Sequence, residues 1–260
     1  MSDRPTTLIT GASGGLGTAL AREAAADGHD LILTSRRSGL LTSLAEALTA
    51  RHSTRVLTLE TDLSLPDSAD RLVNDILASG WRVDYLVNNA GFGWHGFLTD
   101  QPPGNLADLI HVNLLSLTTL TRLLLPSMIA RGDGGILNIA SLAAFQPGPL
   151  MATYYASKAY VLSFSEALSM EVRGTGVRVS CLCPGATATG FAREARMEDS
   201  LLFRTGSMSA ETVARLGWRG FRRGRRVIIP GWKNTLLAVL GRHLPHALSL
   251  RVTRVLHQQS

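Results

Sequence analysis

The stretch Thr153 to Tyr160 reads TYYASKAY. It sets two of the chain's four tyrosines side by side, followed by one of its two lysines. On a helix, residues four apart share a face. Tyr154 and Lys158 meet that condition, whereas Ala159 stands four residues after Tyr155. A phenol has an unperturbed pKa of about 10, too high to cycle easily at neutral pH. A nearby ammonium favours the phenolate and lowers that value. The pair reads as a proton-transfer device in which Tyr154 works and Tyr155 packs or forms pocket wall. Tyr160 and Tyr85 have no lysine at helical spacing.

Composition gives Lys158 further weight. Of the 26 basic residues, all but Lys158 and Lys233 are arginine. A compact ammonium can bond sugar hydroxyls and release a proton, whereas a guanidinium stays charged.

A second chemical feature is TGASGGLG, residues 10–17, which follows one apolar segment and opens a helical one. A helix N-terminus offers unpaired N–H groups and positive dipole character to a phosphate. Gly11, Gly15 and Gly17 permit a tight turn and a close approach by a dinucleotide. The spacing is T-G-x-x-x-G-x-G, and the strand–loop–helix context makes it a nucleotide loop. A dinucleotide site for NAD usually carries an acid at the end of the second strand, on the ribose 2′-hydroxyl. Here Ser35-Arg36-Arg37 stands there, with no acid. Arginine suits a phosphate, so the expectation is NADP(H), with Arg36 on the 2′-phosphate and Ser13 or Arg37 assisting.

These residues need a scaffold, and the pattern supplies one. Strand-like segments at 6–10, 30–35, 55–60, 83–91, 134–141, 177–185 and 226–231 alternate with helical ones. The long helical runs are expected near 105–131 and 153–173. Such alternation implies parallel βαβ units. Strands apolar at nearly every residue imply helices on both faces. The fold expected is α/β, a single doubly wound Rossmann domain over residues 1–260 with about seven parallel strands. Residues 186–225 look like an inserted substrate lid, and 232–260 like a basic, apolar, helical tail.

Composition excludes several alternatives. The chain has 260 residues and is 45% hydrophobic, enough for one large domain. The start shows no leader pattern, and no apolar run approaches the roughly 20 residues of a membrane span. Cys181 and Cys183 alternate with Leu182 and read as buried, too far apart for an easy disulfide; a reducing cytoplasm fits. No metal site is expected. Net charge is +6, yet from Arg204 onward the chain holds ten Arg, one Lys and a single acid, Glu211. No nucleic-acid-binding signature accompanies them. Solvated arginines are the reading taken, with membrane contact, a cleft cover or a subunit interface as other uses of the tail.

The glycine loop, NNAG at 88–91, Asn113, Ser141 and Tyr154-x-x-x-Lys158 together resemble the short-chain dehydrogenase/reductase family, from about Thr6 to Thr189. LVNNAGFG, GTGVRVSCLCPGATAT and VIIPG are similar to its bacterial, NADP-preferring oxidoreductases. The resemblance implies that Ser141 orients a substrate carbonyl and Tyr154 exchanges its proton. It implies that Lys158 holds the nicotinamide ribose and tunes Tyr154, and that Asn113 holds water in a relay to Lys158. It further implies cofactor contacts at Gly11, Ser13, Gly14, Gly15, Leu16, Gly17, Arg36, Arg37, Asp62, Leu63, Asn88, Ala90, Gly91, Tyr154, Lys158, Pro184, Gly185, Thr187 and Thr189. A homodimer or homotetramer is also implied.

The expected activity is NADPH-dependent reduction of a carbonyl. Phe92, Trp94, Phe97, Phe145, Met151, Phe191, Leu201, Leu202 and Phe203 suggest an apolar ketone, aldehyde or 3-oxoacyl substrate; His95 is taken as incidental. The alternatives are a non-catalytic NADP(H)-binding regulator and the same chemistry in a membrane-associated acyl reductase.

Overall fold

The computed structural model describes residues 4–191, 195, 207–244, 250–251 and 253–254. Its first strand, β1 (Thr6–Thr10), is buried at every residue. Strands β2 (Asp30–Ser35) and β3 (Val56–Glu60) extend the sheet on one side. The chain then crosses β1 and adds β4 (Tyr85–Asn88), β5 (Gly134–Ile139) and β6 (Val177–Leu182) on the other. Two further short strands, β7 (Thr187–Ala188) and β8 (Met208–Ser209), pair with each other outside it. With β9 (Val227–Ile228), the described residues form one seven-stranded parallel sheet, in the order β3-β2-β1-β4-β5-β6-β9. The order reverses between β1 and β4, so the loops leaving those strands flank the crevice where such sheets bind ligands.

Helices cover both faces, as continuous apolar strands demand. On one face α1 (Gly15–Ala26), α2 (Ser38–His52) and α7 (Ala210–Arg222) bury a core containing Leu20, Leu44 and Phe221. On the other, α3 (Ser68–Ala78), α5 (Leu117–Arg131) and α6 (Ala152–Glu171) bury Leu72, Leu124 and Leu168.

Three expectations change. Residues 186–225 do not all form a lid, because α7 is a structural crossover helix of the sheet. It buries Trp218 and Phe221, and Trp218 Nε1 donates to Asp27 Oδ2 at 3.1 Å, tying it to the end of α1. Frequent Arg and Gly hide its apolar face in the sequence. The lid segments 192–194 and 196–206 lie outside the described residues, with Leu201, Leu202 and Phe203.

The long helix expected near 105–131 is instead α4 (Pro103–Ile110), a π-helical turn (His111–Ser116) and α5. Residues 103–131 are long and apolar enough to cross a membrane. They nevertheless put Leu109, Leu120, Leu124 and Met128 into the interior. The cysteines are closer than strand geometry suggests: the Cys181 and Cys183 sulfurs lie 3.7 Å apart, as free thiols, because β6 ends between them.

Candidate active site

The glycine loop is shaped by atoms it lacks. Gly11 has φ +63°, and a Cβ there would lie 2.9 Å from Ala90 Cα. A Cβ on Gly17 would overlap the Gly11 carbonyl oxygen. Asn89 Nδ2 donates to the carbonyls of Thr10 at 2.8 Å and Gly11 at 3.1 Å. Thr10 Oγ1 accepts from the backbone of Asn89 at 3.0 Å and Ala90 at 2.9 Å. The two loops at the crevice are thus pinned together. Neither Thr10 nor Asn89 was anticipated; the repeated Asn in NNAG was the available signal.

The adjacent residue corrects an expectation. Asn88 faces the interior, not the crevice. Its Nδ2 donates to Asn138 Oδ1 at 2.9 Å and Thr121 Oγ1 at 3.1 Å. Strand alternation sends successive side chains to opposite faces, so Asn88 braces β4 against β5 and α5, and Asn89 takes the cleft side.

The remaining cofactor residues converge on one cleft of ≈ 640 Å³. It is lined by the glycine loop, Ser13, Arg36, Arg37, Asp62, Leu63, Ala90, Gly91, Pro184, Gly185, Thr187 and Thr189. Arg37 Nε donates to Ser13 Oγ at 3.2 Å, holding one arginine over the loop. Burial pushes the Asp62 carboxyl up. Hydrogen bonds from the Ser64 backbone and hydroxyl, with the Arg36 charge, outweigh it and leave the pKa below its ordinary value. A Cβ on Gly15 would approach Thr189 Cγ2 at 3.0 Å, so the chain after β6 closes against the loop. The steric gaps and free helix start fit the phosphates of a dinucleotide, and Arg36 and Arg37 line the cleft beside them.

At the far end of the cleft stand Ser141, Tyr154 and Lys158. Ser141 leaves β5 in extended conformation; its Oγ accepts from Ala143 N at 3.1 Å and bonds the Tyr154 hydroxyl. Lys158 lies one turn along α6, as the spacing requires. Its ammonium donates to the Ile139 carbonyl at 2.9 Å and sits 5.7 Å from the Tyr154 ring centroid.

The expectation that Lys158 lowers the Tyr154 pKa is not met in this state. Burial pushes Tyr154 up to about 12, against the Ser141 hydrogen bond. Burial also brings Lys158 down to about 8, opposed by the nearby Cys181 and Cys183. Tyr154 therefore carries its proton at neutral pH.

Asn113 reaches the site through the π-helical turn, a feature frequent at functional sites. Its Oδ1 accepts from Phe92 N at 3.1 Å, and its Nδ2 donates to Phe92 O and Ser157 Oγ, each at 3.0 Å. Asn113 does not line the cleft itself. The place where a Cβ of Gly91 would stand is 3.1 Å from Asn113 Oδ1 and 3.3 Å from Lys158 Nζ.

Beyond Tyr154 the cleft turns apolar. Met151, Tyr155, Phe191 and Phe92 line it, and Phe191 lies 5.3 Å from the Tyr154 ring. Trp94, Phe97 and Phe145 do not line it. Trp94 folds over Gly96 of its own loop, Phe97 is 63% exposed, and Phe145 packs beside the Cys181 core. His95 is also outside the lining. A further wall comes from the tail, for which a cleft cover was one of the expected uses: α8 (Trp232–His243) brings Leu237, Leu240 and Gly241, followed by Leu244.

Residues 5–200 match the short chain dehydrogenase family. The chain belongs to this family. Over 236 residues it is 33% identical to a very-long-chain 3-oxoacyl-CoA reductase of Pyrenophora tritici-repentis, covering 88% of this chain and 69% of that protein. Over 220 residues it is 38% identical to sulfoacetaldehyde reductase 2 of Chromohalobacter salexigens, covering 80% and 85%. A short-chain dehydrogenase from Sphingobium yanoikuyae in complex with NADPH superposes with TM-score 0.81, at 33% identity and 88% coverage of both chains. Similar structures hold NADPH or NAD. This chain is accordingly an oxidoreductase of the short-chain type, with a dinucleotide Rossmann fold.

Proposed function

We propose that the protein is an NADPH-dependent reductase of apolar carbonyl compounds, with 3-oxoacyl thioesters as the favoured class. The observation that carries this reading is the continuity of one cleft from Arg36, through Ser141 and Tyr154, to an aliphatic and aromatic wall. When bound, the reduced nicotinamide supplies hydride to the carbonyl carbon. The 2′-phosphate falls to Arg36, with Arg37 and Ser13 beside it.

Ser141 orients the carbonyl oxygen by hydrogen bonding, and Tyr154 donates the proton. Tyr154 carries at neutral pH the proton that a general acid delivers as charge develops on oxygen. Burial opposes its release, and the Lys158 ammonium beside its ring is the group that would favour the phenolate left behind. Lys158 bonds the ribose hydroxyls through its ammonium. The space over Gly91, between Asn113 Oδ1 and Lys158 Nζ, fits a water that returns the proton, because buried waters require such polar partners. The substrates after which the two relatives are named differ in polarity; the apolar lining favours the acyl class over the sulfonated aldehyde. Two buried free thiols support a reducing, cytoplasmic location.

The test is a panel of ketones, aldehydes and 3-oxoacyl thioesters with NADPH, followed by its absorbance. Consumption is expected, fastest with long acyl chains. No consumption with any of them would instead support a non-catalytic NADP(H)-binding regulator.

A further inference from the structure

Helix α8 is amphipathic in the reverse of the usual sense. A surface helix normally turns its apolar stripe to the core. Here Trp232, Leu236, Val239 and Leu240, at helical spacing, are 74%, 52%, 51% and 43% exposed. The inward face carries small or polar residues. Asn234 sits where a Cβ on Gly185 would meet it, Ala238 is buried, and Gly241 lies against Gln146.

Charge selects what covers this face. Lys233 and Arg242 lie exposed on the same helix, with Arg251 and Arg254 exposed beyond it. The sequence contains no Asp or Glu after Glu211. A second copy of α8 would oppose like charges, which is unfavourable. An anionic surface is complementary, and an apolar stripe flanked by cations with a Trp at one end is the pattern of a helix lying in a bilayer interface.

We infer that α8 docks this protein onto an anionic phospholipid bilayer, lying in the headgroup layer with Trp232, Leu236 and Val239 inserted. Leu237 and Leu240 of the same helix line the cleft, so docking sets its apolar mouth at the lipid surface. A lipid-dissolved acyl substrate then reaches Tyr154 without crossing water. This consequence rests on the carbonyl-reductase reading; the docking itself does not.

The experiment is sedimentation of the full-length protein with phosphatidylcholine vesicles, with or without phosphatidylglycerol. Far-UV circular dichroism of the same samples is the control for folding, and NADPH fluorescence titration reads the cofactor site. The wild type is expected to sediment with the anionic vesicles and to be released by salt. Trp232→Ser/Leu236→Ser/Val239→Ser, and separately Lys233→Glu/Arg242→Glu, should each lower the bound fraction by about tenfold while binding NADPH as the wild type does.

A wild type that stays in solution with both vesicle types overturns the inference. So do variants that bind NADPH normally and sediment unchanged. A triple variant that turns a vesicle-indifferent dimer into a monomer also overturns it, assigning the face to a second copy. Wild-type sedimentation lost in both variants, with no NADPH response in any sample, upholds the docking and overturns the cofactor reading.

Discussion

The two ends of the cleft are built by different means. The cofactor end is set by the backbone of two neighbouring loops: Gly11 and Gly17 leave no room for a Cβ, and the Asn89 and Thr10 side chains pin the loops together, with Arg36 and Arg37 beside them. The substrate end is made of side chains from distant segments, including Met151, Phe191 and Leu240. One end is a fixed template with few tolerated changes, and the other is a surface whose lining can vary. Ser141, Tyr154 and Lys158 stand at their junction. The expectation that follows is sharp loss on changing the junction and graded loss on changing the apolar wall.

The largest effect belongs to Tyr154. Tyr154→Phe should reduce turnover by about 10²- to 10⁴-fold, the usual worth of a positioned proton donor, with NADPH affinity kept. Tyr155→Phe should retain most activity, and steady-state rates of the two variants decide between them. If Tyr155→Phe is the crippled enzyme, the assignment of roles at the junction fails.

The next effect lies outside the cleft and bears on the scaffold alone. His29 is buried, with Nδ1 2.7 Å from Thr7 Oγ1, and its pKa is lowered to about 4. Burial is the main cause; Arg222 adds to it, while Asp27 and Asp84 oppose it. The unfolded chain binds this proton at higher pH than the folded one. Stability should therefore fall as pH drops from about 6.5 towards about 4, by up to about 3 kcal/mol. Urea unfolding of wild type and His29→Gln across that range checks it. The variant's curve should be flatter, and parallel curves would exclude His29 as the cause.

Smaller effects sharpen the contrast between the ends. Gly91→Ala puts a methyl between Asn113 and Lys158 and should lower kcat by about tenfold, mainly through proton return. An unchanged kcat would remove the water from the account. Leu240→Ala should raise KM about threefold for long acyl chains and leave short ketones unaffected. Equal changes for both would argue that Leu240 does not touch the chain.

The same contrast explains what the sequence disclosed. Tyr154, Lys158 and the glycine loop were legible because each depends on local spacing within one element. The strands were legible because burial on both faces makes them continuously apolar. Asn88 was misplaced by one residue, since in NNAG only strand alternation separates the brace from the cleft residue. The π-helical turn left no periodicity strong enough to read. Helix α7 was hidden by its arginines, and α8 joined the site only through tertiary folding. The raised Tyr154 pKa follows from burial, which spacing does not report.

The most direct test of NADPH-dependent carbonyl reduction is the ratio of kcat/KM with NADPH to that with NADH, measured on one long-chain 3-oxoacyl thioester. Arg36 and Arg37 replace the usual acid after β2, so the ratio should exceed about ten. A ratio below one would contradict the account.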